Sequence, residues 1–238
     1  SALPAVADTF TTKAADGITV HGERYFGDLA EDAPLVLLFH QAGSNGRGEY
    51  GPLAAWLNEQ GVRALAFDQR VGGDTYGESN RTVSGLPEGA DPGYCDAYPD
   101  LEAGLAFAVS EGLADRAFVW GSSYSASLVF RLAADHPEHV AGVIACSPAS
   151  GGPMVDCRAR NFVESVTCPV LVLRPASEME RESSVAQRGI LEAAGATFLV
   201  ADQGVHGSSM LVDERTEADM SVTRAAVGNW LREHADTK

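Results

Sequence analysis

A serine, a histidine and a glutamate lie far apart in this chain, each in a setting that could recruit it to acyl transfer. Ser123 falls in Gly121-Ser122-Ser123-Tyr124-Ser125, between an apolar run (117–120) and a segment (127–133) whose apolar residues have helical spacing. Strand, sharp turn and helix form the context in which G-x-S-x-G acts as a nucleophile elbow, the serine strained and exposed and its small neighbours letting the backbone pass. Ser125 stands where that pattern has its second glycine. The same residues also read as an ordinary turn whose serines cap a helix, so this stretch alone leaves both readings open. A hydroxyl at its free pKa is a weak nucleophile; it needs an imidazole to take its proton and a carboxylate to orient the imidazole. His206, in Gly204-Val205-His206-Gly207-Ser208, and Glu178, with Glu180 and Glu182 close by, provide those types in the order serine, acid, histidine.

The elements that must position them follow from hydrophobic patterning. Residues 9–13 and 18–26 read as two strands joined by Asp16-Gly17, a hairpin signal. Continuous apolar runs predict buried parallel strands at 35–39, 62–67, 114–120, 140–146, 169–173 and 197–200. Helical spacing predicts helices at 50–60 (stopped by Gly61), 100–111 (with Asp100 as N-cap) and after Ser123. Two more follow: one before Gly195 with Val185, Ile190 and Leu191 inward, and one over 216–234 with Met220, Ala226, Val227, Trp230 and Leu231 on one face. That order gives an α/β fold with one doubly wound, mostly parallel sheet and helices on both faces. Ser123, Glu178 and His206 each follow a strand, so the sheet would bring all three to one edge. Residues 72–99 form a long irregular segment whose Tyr76, Leu86, Tyr94 and Tyr98 can pack over a site. Residues 147–168 are too short for an inserted helical lid.

The sequence resembles the α/β-hydrolase superfamily of esterases and lipases, from about residue 18 to the end. Beyond the elbow, His40-Gln41-Ala42-Gly43 matches the family's H-G-x-G oxyanion loop, and Asp68-Gln69-Arg70 with Gly72-Gly73 matches its D-x-R-G-x-G loop. Residues 169–178 match the strand ending in G-T-x-D, and His206-Gly207 the final histidine loop. The resemblance implies Ser123 as nucleophile, His206 as general base and then acid, and Glu178 as the acid where the family has aspartate. The oxyanion hole would be the N–H of Tyr124 with that of Ala42, or of Gln41, which replaces the usual glycine. Asp68 and Arg70 are read as braces for neighbouring loops rather than as substrate ligands. A serine nucleophile sets the chain apart from relatives that use aspartate (dehalogenases) or cysteine (dienelactone hydrolases). The implied function is hydrolysis of a small-molecule carboxylic ester with a small or short acyl group, with no cofactor and no metal. A peptidase or thioesterase on the same triad, or a catalytically silent ligand-binding member, are the alternatives.

At 238 residues, 45% of them hydrophobic, the chain suits one domain spanning 1–238, with 1–8 as a flexible terminus. Its net charge of −16, from 33 acidic and 17 basic residues, excludes nucleic acid as a partner. No run approaches the roughly 18 apolar residues needed to span a bilayer. Gly-rich loops here lack the G-x-G-x-x-G and G-K-[ST] patterns of nucleotide sites. Ala5-Val6-Ala7 has the A-x-A form of a signal-peptidase site, which tilts localisation toward export over the cytoplasm. Cys95, Cys146, Cys157 and Cys168 lack metal or redox spacing; an exported chain could form a Cys146–Cys157 bridge, while Cys146 and Cys168 read as buried small hydrophobes. Nothing in the sequence bears on oligomeric state.

Overall fold

A computed structural model of the chain describes residues 8–235. Its layers follow from alternation along the strands. In Leu35–Phe39 every residue is buried, Leu35, Leu37 and Phe39 entering one core and Val36 and Leu38 the other. The same division holds for Val119 against Phe118 and Trp120, and for Val172 against Leu171 and Leu173. Such strands need cover on both faces, and helices provide it.

The elements in order are β1 (Asp8–Lys13), β2 (Thr19–Tyr25), β3 (Leu35–Phe39), α1 (Gly46–Glu59), β4 (Arg63–Asp68), α2 (Arg81–Ser84), α3 (Tyr98–Ser110), β5 (Ala117–Ser122) and α4 (Tyr124–Asp135). They continue with β6 (Val140–Cys146), β7 (Val170–Pro175), α5 (Glu182–Ala193), β8 (Thr197–Ala201), α6 (Asp213–Thr216) and α7 (Ser221–Ala235). The sheet order is β1-β2-β4-β3-β5-β6-β7-β8; β2 is antiparallel to both its neighbours and all later pairings are parallel. Side chains of α3, α4 and α5 join the core on one face; those of α1 and α7 join the other. The expected α/β fold is therefore what forms. Strand order reverses between β3 and β5, the switch point at whose carboxyl edge ligands bind in open α/β sheets. Among the described residues no helix is long and apolar enough to cross a membrane.

The D-x-R loop does the bracing its sequence suggests. Asp68 accepts from the Gly46 N–H (2.9 Å) and from the N–H and Nε of Arg81 (3.0 and 2.9 Å), tying the start of α1 and α2 to the end of β4. Arg70 is buried between Asp100 and Asp16.

Several boundaries differ from the sequence expectation, each for a local reason. Helix α1 begins at Gly46 rather than near Tyr50, because Asn45 caps it by accepting from the Gly48 N–H (2.7 Å); three glycines in the first two turns hide the periodicity. Asp100 is not an N-cap: the helix starts at Tyr98 and the carboxylate turns to Arg70, which donates its own N–H at 2.7 Å. Strand β5 runs on through Gly121 and Ser122. In α5 only Leu191 of the three expected residues is inward, with Ser184 and Gln187; Val185 and Ile190 are exposed, because Gln187 turns in to accept from Arg174. The terminal helix is interrupted at Glu217 (φ 54°), and Asp213 holds the restart by accepting from Met220 N–H and pairing with Arg224. The terminus expected at 1–8 lies outside the described residues except for Asp8, which opens β1, and Ala5-Val6-Ala7 lies outside them too.

The disulfide also differs. Cys157 pairs with Cys95 (Cα–Cα 5.8 Å), not with Cys146, which is buried as a free thiol; Cys168 is half-buried. Burial pushes the Cys146 thiol up to about 12. The bridge joins the irregular 72–99 segment to the 3-10 turns after β6 (Gly152–Met154, Ala159–Asn161, Val163–Ser165). With its ends 62 positions apart in sequence, it restricts the unfolded chain by about 4 kcal/mol on the loop-entropy account. A Cys95→Ala/Cys157→Ala variant should show a urea midpoint lowered by a comparable free energy, and reductant should move only the wild type. Equal midpoints would exclude the bridge.

Candidate active site

The elbow is built by close approach. Ser123 has φ 58° and ψ −115°, a positive φ that a non-glycine residue adopts only when its surroundings impose it. Gly121 permits the turn, since a Cβ there would lie 2.3 Å from the Ser125 carbonyl oxygen and 2.5 Å from the Ala126 nitrogen. The Ser123 N–H donates to Cys146 O (2.9 Å), and its own carbonyl accepts from the Ala149 N–H (3.0 Å), so β6 and the loop after it grip the turn from one side. Ser125 is fully buried, and its hydroxyl explains the departure from glycine: it donates to His40 O (2.7 Å) and accepts from Gln69 Nε2.

His40 is the other half of this knot. Fully buried, it donates Nδ1–H to Gln41 O (2.7 Å) and accepts at Nε2 from the Gln69 N–H (2.9 Å). Burial drives its pKa down to about 4 against the opposing main-chain bond to Gln41, so the ring is neutral. Gln69 completes the tie by accepting from the His40 N–H (2.9 Å) and donating to Tyr124 Oη (3.1 Å).

The three residues singled out for chemistry meet at the carboxyl edge of the sheet. His206 Nε2 lies 2.8 Å from Ser123 Oγ, and His206 Nδ1 faces Glu178 Oε1 in a short hydrogen bond. A carboxylate only accepts, so Nδ1 carries the hydrogen and Nε2 presents a lone pair to the hydroxyl. The His206 side chain is half exposed, Glu178 is buried. Neither Glu180 nor Glu182 shares this contact. The second oxygen of Glu178 pairs with Arg174, four residues earlier on β7, which also donates to Pro148 O and Gln187 Oε1. Burial opposes ionisation of Glu178, but the hydrogen bond and field of His206, then the Arg174 guanidinium, outweigh it and hold the carboxyl below its ordinary value.

The histidine loop is fixed as tightly as the elbow. Gly207 donates to Ser147 Oγ (3.1 Å), Ser208 donates to Ser122 Oγ (2.9 Å), and Trp120 Nε1 donates to Ser208 Oγ (2.9 Å). Gly207 has φ +72°, and a Cβ there would meet Ser122 Oγ at 2.4 Å.

The β3 loop holds the remaining candidates. Gln41 to Ser44 form a turn closed by Ser44 N–H to Gln41 O (3.3 Å), with Gly43 at φ +73°. Gln41, the alternative oxyanion donor, has its main-chain N–H engaged with Glu49 Oε2 (2.7 Å) and its side-chain amide with Tyr76 Oη (3.1 Å). Tyr124 begins α4; its ring stacks on Tyr94 (centroids 5.2 Å apart) and its hydroxyl donates to Val71 O (2.7 Å). Of the 72–99 tyrosines, Tyr76 and Tyr94 reach the rim, whereas Tyr98 is buried in α3.

Sequence reasoning missed Glu49, Ser147, Ser208 and Arg174. Glu49 is fully buried, its Oε1 without a hydrogen-bond partner, and burial raises its pKa against the bonds from Ser122 and Gln41. It reads in sequence as a surface helix acid. Arg174 left a signal: it precedes Glu178 by four residues on a strand otherwise apolar.

Residues 30–220 match the model of the family described as serine aminopeptidase, S33. The chain belongs to that family, within the α/β-hydrolases, and is a hydrolase. Solved structures agree on the fold. The Pyrococcus furiosus esterase Pf2001 is 16% identical with a TM-score of 0.71, over 97% of this chain and 91% of that one. Est1E from Butyrivibrio proteoclasticus is 16% identical with a TM-score of 0.70, over 95% and 98%. The Pyrococcus horikoshii acylaminoacyl peptidase is 14% identical with a TM-score of 0.69, over 99% of this chain but 43% of that one. At these identities the likeness is one of fold. No curated protein matches.

Because its folded pKa is depressed, Glu178 stabilises the fold fully above the ordinary value of 4.5 and loses that contribution as pH falls through the folded value. Between about pH 5 and pH 3 the urea midpoint of the wild type should fall more steeply than that of Glu178→Gln. Parallel slopes would show that the carboxyl is not held this way.

Proposed function

We propose that this chain cleaves carboxylic esters through an acyl-enzyme on Ser123. The observation that carries the reading is the continuous relay from Ser123 Oγ through His206 to Glu178, with the serine in a strained elbow. His206 Nε2 takes the hydroxyl proton as Oγ attacks the carbonyl carbon, and Glu178 holds the ring and stabilises the imidazolium. The oxyanion receives the N–H groups of Tyr124 and Ala42; the bond of the Gln41 N–H to Glu49 supports leaving Gln41 out of the hole. His206 then protonates the departing alkoxide, and water, activated by the same imidazole, releases the acid. No metal or cofactor has a part in this scheme. Glu178 replaces the family's aspartate with one more methylene, and its buried pairing with Arg174 supports it in that role.

The connection after β6 carries only short 3-10 turns, which favours small or short acyl groups over long chains that need enclosure. The Cys95–Cys157 bridge supports an exported protein, since disulfides persist in oxidising compartments. A peptidase on the same triad has the family's description behind it.

Ser123→Ala should lower kcat toward p-nitrophenyl acetate and butyrate by about 10⁶ and abolish labelling by a fluorophosphonate. Anilide hydrolysis exceeding ester hydrolysis would favour the peptidase reading. A wild type neither active nor labelled would leave a ligand-binding protein.

A further inference from the structure

Arg47, Arg70, Arg81, Arg174 and Arg224 each pair with a carboxylate, as expected in a chain with 33 acidic and 17 basic residues. Arg158 and Arg160 do not. They come together instead in a cavity of about 240 Å³, whose walls include Ser150, Ser183, Gln187 and Ile190 and no carboxylate. Arg158 donates from Nη2 to Gly151 O (3.2 Å), and its buried Nε has no hydrogen-bond partner. The Arg160 side chain has neither hydrogen bond nor ion pair among the described residues.

The cleft lining carries two guanidinium groups and no carboxylate, so an anion entering it would meet unpaired positive charge. Guanidinium suits it by geometry as well, since its planar fork matches a carboxylate or phosphate. The first turn of α5, which begins at Glu182, adds the Ser183 hydroxyl to the lining. Ile190, 40% exposed, gives the cleft an apolar wall beside the charges.

Two of its walls connect to the triad, each through one intervening residue, although no triad residue lines the cleft itself. Ser150 follows Ala149, whose N–H donates to the Ser123 carbonyl (3.0 Å). Gln187 accepts from Arg174, which holds Glu178. The Cys95–Cys157 bridge fixes the limb on which Arg158, the next residue, is carried.

Resting on the esterase reading above, we propose that this cleft is an acyl-chain subsite for an anionic group. The substrate is then an ester whose acyl chain carries a carboxylate or similar oxyanion, bound by Arg158 and Arg160, with its methylenes against Ile190.

The test compares monoethyl adipate with ethyl hexanoate, esters with the same acyl length that differ in a terminal carboxylate. Wild type should favour monoethyl adipate in kcat/KM. Arg158→Gln/Arg160→Gln should cut that preference roughly tenfold through KM, and Arg158→Lys/Arg160→Lys should restore part of it. A wild type that treats the two esters alike, or a double glutamine variant that keeps the preference, overturns the proposal. Calorimetric titration of adipate into Ser123→Ala separates the two readings. If neither ester is hydrolysed, the esterase reading fails, and adipate binding that disappears in the added double variant still supports an anion site there; no binding overturns it. Inorganic phosphate that binds the cleft without raising KM for monoethyl adipate assigns it to a free anion and overturns the substrate-borne form.

Discussion

The constraint on which the rest depends is the contact between the end of β5 and the start of α4. The chain must reverse within one residue, so Gly121 lies against the backbone of Ser125 and Ala126, and Ser123 takes a positive φ. A strained residue of this kind costs on the order of 1–3 kcal/mol and persists only where its surroundings over-determine it. Here they do. β6 accepts its N–H, the loop after β6 donates to its carbonyl, and the Ser125 hydroxyl reaches across to the end of β3. Each buried hydrogen bond contributes about 0.5–1.5 kcal/mol net, enough together to offset the strain and hold Oγ at the sheet edge.

A second theme is the use of buried arginines as loop anchors. Arg70 holds the turn after β4 to α3 and to the first hairpin, Arg81 joins Asp68 to Glu23, and Arg174 joins Glu178 to the loop after β6 and to α5. Such pairs contribute little net stability, because desolvation cancels much of the attraction, yet breaking one strands its partner charge. Their value lies in geometry. Each fixes a loop near the edge where Ser123, Glu178 and His206 meet.

The fold was largely legible because continuous apolar runs mark the strands of a parallel sheet and nothing else in this chain competes with them. The meeting of Ser123, Glu178 and His206 at one edge was legible too, since each follows a strand end, a position that local pattern reveals. What stayed hidden depends on partners distant in sequence. Cys95 finds Cys157 across 62 residues, Asp100 is drawn from a capping role by Arg70, and α5 turns Gln187 rather than Val185 inward because Arg174 needs an acceptor. Glu49 carries no sign of burial in a segment full of glycines. In each case a polar side chain satisfied a buried demand that hydrophobic periodicity does not record.

The ring formed by His40, Gln69 and Ser125 bears on how this sequence can change. Its side chains bond to one another and to the main chain of His40 and Gln69 in a fully buried space, so replacing Ser125 by the glycine usual at that position would remove a donor from the His40 carbonyl and one of the two acceptors of the Gln69 amide. The reverse step, serine entering where glycine stood, gains the bond to the His40 carbonyl in any case and the second bond only if an amide is present at position 69. The two sites are thus energetically entangled.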